Sequence, residues 1–99
     1  MEGKIKYNFS GKVWQHSPNG GWVFVSLPKP ISKEIRENLQ WQEEGWGRMK
    51  VLASTKQLEW QTAIWFDTKS GTYLLPLKAA IRKKAHIQLD DTLDIQILV

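Results

Sequence analysis

The chain contains no cysteine, which removes a disulfide framework, a thiolate nucleophile and a cysteine-built metal site in one stroke. Stability has to come from packing, as suits a reducing compartment. Histidine is almost as scarce. His16 falls in a Pro-Asn-Gly loop and His86 just past a run of cations, with no HExxH or paired-ligand spacing. Each is therefore expected to be solvated or to cap a turn, and neither a metal nor another cofactor is expected. Long apolar runs are missing too. The opening MEGKIKYNFSGKV has no signal-peptide core, and nothing approaches the ~20 apolar residues of a membrane span, so the cytoplasm is the default location and a membrane is not an expected partner.

Catalytic signatures are also lacking. There is no GxSxG elbow, no Cys-His pair and no glycine-rich phosphate loop. Gly45-Trp46-Gly47 precedes a strand instead of a helix and is not followed by Lys-Ser/Thr. The acidic pairs Glu43-Glu44 and Asp90-Asp91 are sequence neighbours, which do not face each other across a substrate, so turn chemistry accounts for them. An enzyme would need an acid tuned by a pocket, and Glu59 and Asp94 are candidates by position alone. No residue is assigned as catalytic.

What is present points to one small globular domain spanning 1–99. Its 99 residues are 41% hydrophobic and 24% charged, enough for a single modest core. The formal net charge is +4, compatible with an anionic partner but not a demonstration of one. Only Lys78 to Lys84 is locally one-signed, with four cations and no acid. Tryptophan is the larger anomaly, at six residues. Each buries a large area yet needs a partner for its indole N–H, so six imply an aromatic-filled interior or an aromatic contact surface.

Read in order, the chain alternates at Lys4–Ser10, with Ile5, Tyr7 and Phe9 on one face. Gly11 interrupts that strand, and Val13-Trp14 is expected to resume it beyond a bulge. Gln15–Gly21 reads as a hairpin loop and Trp22–Leu27 as a strand. The prolines at 28 and 30 bar helix until Ser32, which is expected to N-cap Lys33–Leu39, a helix with Ile31, Ile35 and Leu39 as its buried stripe. Trp46–Ala53 alternates again, 54–57 turns, and Leu58, Trp60, Thr62, Ile64 and Phe66 share a strand face opposite Glu59, Gln61 and Trp65. After a second hairpin loop at Asp67–Gly71 comes the strand Tyr73–Leu75. Pro76 then opens a short basic helix burying Leu77 and Ile81, with Arg82, Lys83 and Lys84 in its last turn. The tail from Leu93 to Val99 is a half-buried strand.

About six strands and two short helices, with turn signals every ten residues or so, favour a mainly β chain closed or partly closed into a six-stranded barrel. Leu27-Pro28 with Ile35-Arg36, and Leu75-Pro76 with Ile81-Arg82, suggest two related halves around one core.

At GGWVFVSLPKPISKEIRE, EGWGRMKV, the W-x-T of Trp60 to Thr62, and YLLPLKAAIRKKAHIQLDDTLDIQI, the chain resembles the bacterial family catalogued as domain of unknown function 1905. The likeness runs from Tyr7-x-Phe9 onward. It implies a small closed barrel with two-half pseudo-symmetry, related in outline to the swapped-hairpin, double-split barrels of AbrB- and MazE-like proteins, and it brings no activity, substrate or cofactor. Asp90-Asp91-Thr92 stands where the family usually has Gly-Asp-Thr, and Asp is expected to sustain that left-handed turn. Trp65-Phe66 stands where it often has Phe-Pro.

Two contact surfaces follow. Trp14, Trp22, Trp46 and Trp65 lie at strand ends or on a strand's second face, where with Arg48 they would form an aromatic, basic-rimmed mouth for a small molecule or peptide. Lys78, Arg82, Lys83 and Lys84 would form an anion or nucleic-acid stripe on the second helix. The expected assembly is a monomer or weak homodimer.

Overall fold

The computed structural model describes residues 5–16, 21–43 and 47–99, the side chain of Gln42 excepted. Most of the hairpin loop expected at Gln15–Gly21, and Trp46, lie outside the described residues. Alternating side chains make the strands β1 (Lys6–Gln15), β2 (Val23–Ser26), β3 (Arg48–Thr55), β4 (Leu58–Asp67), β5 (Thr72–Pro76) and β6 (Thr92–Leu98). Helix α1 (Lys29–Leu39) and a 3₁₀ turn (Gln40–Gln42) join β2 to β3, and α2 (Ala79–Lys84) lies between β5 and β6.

The strands close into a barrel in the order β1-β2-β5-β4-β3-β6, every neighbour antiparallel. The closure joins offset strands: β4 meets β5 only at Trp65–Asp67, and β3 meets β6 only at Leu52–Ser54. Exchanging β1, β2 and β3 for β4, β5 and β6 leaves this order unchanged, so the two halves suggested by the repeated Leu-Pro corners are equivalent in topology. Across the seam between halves, Val25 pairs with Leu75. On either side of that pair the ladder is extended reciprocally, the Leu27 N–H donating to the Tyr73 carbonyl and the Leu77 N–H to the Val23 carbonyl, each at 2.9 Å.

β1 does not break at Gly11. It pairs with β6 over Lys6–Lys12 and passes directly to β2 at Val13–Gln15. The glycine serves packing instead of a bulge: its α-carbon faces inward between Phe9 and Val13, and a Cβ there would stand 2.4 Å from Val25 Cγ1. The interior is filled by the inward members of each strand, with Val13, Val25, Ile64, Tyr73, Leu75 and Ile97 wholly buried. Each large aliphatic side chain so covered contributes on the order of 1.5–3 kcal/mol. Trp60 packs half-buried against this cluster.

Both helices differ from expectation at their starts. α1 begins at Lys29, because Pro30 falls in the first turn, where its missing N–H loses no bond. Ser32 is therefore no cap. Fully buried, it accepts from the Tyr73 N–H (3.0 Å) and donates to the Leu27 carbonyl (3.4 Å), tying the helix to the corner between β2 and β5. Ile35 and Leu39 carry α1 into the core, with Ile31 packed beside them. Pro76 stays in β5 opposite Phe24, and α2 starts three residues later. No α2 residue is fully buried; Ile81 is half-covered, and the flanking Leu77, Ala85 and Ile87 reach the core. The turn before β6 has Asp90 at φ 71°, the left-handed conformation expected of it.

Candidate functional site

Three of the predicted tryptophans meet, and they do so on the outer wall of the barrel. Strand alternation sends Val13, Val23, Val25 and Ile64 inward, so Trp14, Phe24 and Trp65 point outward. Phe24 and Leu74 are buried, yet neither belongs to the interior cluster. What covers Phe24 is aromatic. Its ring lies 5.3 Å from Trp14, 5.6 Å edge-on from Trp65, and 6.3 Å from Trp22 with only 12° between the ring planes. Trp22 and Trp65 touch at 5.1 Å.

Trp14 is fixed by its indole N–H, which donates to Ser26 Oγ at 2.9 Å. Trp22 is 56% exposed, an unusual state for so large an apolar ring. Arg48 is exposed and is the ladder partner of Trp65, so its side chain leaves the same face. The patch brings Trp14, Trp22 and Trp65 together over Phe24 with Arg48 beside Trp65, and it is an open wall in place of the expected mouth.

A second arrangement escaped the sequence reading. The Tyr73 hydroxyl, on the interior strand β5, donates to the Glu43 carboxylate. Glu43 accepts from Arg36 Nη1 at 2.9 and 3.2 Å, and the Arg36 guanidinium lies 4.1 Å over the Phe66 ring. Phe66 in turn meets Tyr73 edge-on at 5.1 Å, closing a ring of four side chains. Burial, and then the bond to Glu43, push the Tyr73 hydroxyl well above the ordinary tyrosine range. Tyr7 behaves alike: burial and its 2.9 Å bond to Glu34 raise it to about 12. Beside Arg36 runs a groove of about 380 Å³ bordered by Lys29, Lys33 and Phe66. The turn that forms its far end is shaped by Asp67, which accepts from Ser70 Oγ at 2.7 Å; that bond, with backbone N–H groups, holds its carboxyl below the usual range.

A larger cleft of about 510 Å³ opens where β6 parts from β3, among Asn8, Ser10, Ser54, Thr55 and Asp94. There the Thr55 hydroxyl bridges to the Asp94 carbonyl at 2.7 Å, and the Asp94 carboxylate accepts from Ser10. Of the cations predicted on the second helix, Lys78, Lys83 and Lys84 are exposed. Arg82 is half-buried, its Nε donating to the Leu77 carbonyl at 3.0 Å. His16 and His86 are both exposed, and among the described residues no group of three His, Asp or Glu could hold a metal ion.

Phe24 was missed because it sits in an apolar run that reads as a two-sided buried strand, and its outward register becomes evident only from pairing with Trp14. Lys29, Lys33 and Arg36 did leave a signal, their spacing of four and three along one helix. The acids Glu34 and Glu37 masked it.

A family model described as domain of unknown function (DUF1905) matches residues 9–97, and the chain belongs to that family. No match was found among curated proteins.

Proposed function

We propose that this DUF1905 barrel is a non-catalytic binding module whose contact face is the outer aromatic wall of Trp14, Trp22, Phe24 and Trp65, with Arg48 beside it. The observation carrying this reading is Trp22, an indole left 56% exposed while stacked at 12° on a covered phenylalanine. Exposed aromatic clusters of this kind are what protein surfaces use for contact, since rigid rings bury much area at small entropic cost. Of the two ligand kinds that aromatics suit here, an extended peptide fits better than a small molecule. Small ligands are ordinarily enveloped over most of their surface, and this wall is open, whereas aromatic ladders on open faces suit extended and proline-rich chains.

The test is selection from a random-peptide library on the intact barrel, with Trp22→Ser and Trp65→Ser barrels as counter-screens. Peptides that bind the wild type and lose both variants support the reading. Binders indifferent to both substitutions contradict it.

Nucleic acid is the second reading, favoured by the exposure of Lys78, Lys83 and Lys84 at α2. It calls for binding of a labelled single strand that weakens steeply with salt; a salt-insensitive titration removes it.

A further inference from the structure

Lys29, Lys33 and Arg36 lie at intervals of four and three along α1 and so share a face. That face forms one wall of the 380 Å³ groove; Phe66, with Ser70 and Gly71 from the β4–β5 turn, borders the rest. Three cations stand there against one lining acid, Glu37. Lys29 and Lys33 make no ion pair among the described residues, and Glu37, four residues beyond Lys33, is the acid nearest to them on that face. Arg36 is held in place. Glu43 grips it through Nη1 alone, without the two-nitrogen clamp a carboxylate can make. Phe66 supports its flat face, and Tyr73 fixes Glu43 from the interior. Such a guanidinium loses little further freedom when it meets an anion.

We infer that this groove binds a small organic anion, its phosphate or carboxylate between Lys29, Lys33 and Arg36 and its apolar body against Phe66. The site is separate from the aromatic wall, and neither reading depends on the other. Its volume lies near the lower end of ordinary ligand sites, which limits the occupant to a small molecule. The apolar wall explains why an amphipathic anion suits it better than a bare one.

Amide chemical-shift mapping on the folded chain tests this, with phenyl phosphate, benzoate, inorganic phosphate and benzyl alcohol titrated separately. Saturable shifts from phenyl phosphate or benzoate, confined to Lys29–Glu37, Phe66, Ser70 and Gly71, are expected, and which of the two binds tighter identifies the head group. Inorganic phosphate should bind more weakly and benzyl alcohol should not saturate. The exposed double variant K29E/K33E should weaken the better probe by about tenfold or more, roughly 1.4 kcal/mol, while its spectrum elsewhere stays that of the wild type. Shifts scattered over all lysines, equal binding of inorganic phosphate, or an undiminished K29E/K33E titration would overturn the inference.

Discussion

The hydroxyl of Tyr73 donates to the carboxylate of Glu43, and this contact couples the barrel interior to its surface: the tyrosine is wholly buried, while Glu43 meets the half-exposed Arg36. Glu43→Ala strands the hydroxyl and releases the guanidinium. It should cost about 1–3 kcal/mol in urea unfolding, and Glu43→Gln, which keeps an acceptor, should cost less. An alanine variant as stable as the wild type would show that the contact holds nothing together.

Gly11→Ala should destabilise by about 1–3 kcal/mol through overpacking, because its Cβ would collide with Val25 Cγ1 in a filled interior. Removing that methyl tests the cause. In Gly11→Ala/Val25→Ala the glycine substitution should cost distinctly less than in the wild-type background, and strict additivity of the two changes would point elsewhere.

Ser32 separates two accounts of α1. As an N-cap it would be exposed and partly replaceable by Asp or Asn. As the buried tie to the Tyr73 N–H, its change to Ala should cost about 1–3 kcal/mol, and Asp, charged and larger, should be worse. Thermal melts of Ser32→Ala and Ser32→Asp decide between them.

Both tyrosines of the chain have their ionisation raised, Tyr7 from 10.0 to about 12 and Tyr73 further, burial being the first cause in each. The fold thus retains protons that the unfolded chain releases near pH 10. Their contribution to stability is complete below pH 10 and drains away as pH climbs from there through 12. Ultraviolet titration should find little tyrosinate at pH 10 while the protein stays folded. Half-ionisation at that pH in the folded state would contradict the burial.

The β3–β4 turn places Lys56 and Gln57 at φ 48° and 66°. A two-residue hairpin turn with both φ positive favours Asn-Gly. Lys56→Asn/Gln57→Gly should therefore raise stability by about 1 kcal/mol, read as a higher melting temperature.

Much of the barrel was legible because β1, β3 and β6 are one-faced: Tyr7 and Phe9, Met49 and Val51, and Leu93, Ile95 and Ile97 declare an inward side by alternation alone. Local rules failed where long-range contact decides. Ser32 looked like a cap until β5 supplied the N–H that it accepts. Gly11 looked like a bulge because nothing nearby in sequence announces Val25. Pro76 looked like a helix start because its strand partner lies 52 residues earlier, at Phe24. In the candidate site, Trp65 was placed opposite the core face from β4 alone. The meeting of Trp14, Trp22 and Trp65 over Phe24 depends on strand order around the closed barrel, which no local pattern encodes.

The most direct test of the aromatic wall follows the indole N–H resonances as a selected peptide is added. The account predicts that the Trp22 and Trp65 signals move and saturate together while that of Trp60, on the core face, stays still, and that Trp22→Ser abolishes binding at a stability cost of about 1 kcal/mol or less. Saturable binding that leaves both the Trp22 and Trp65 indoles unmoved would contradict it.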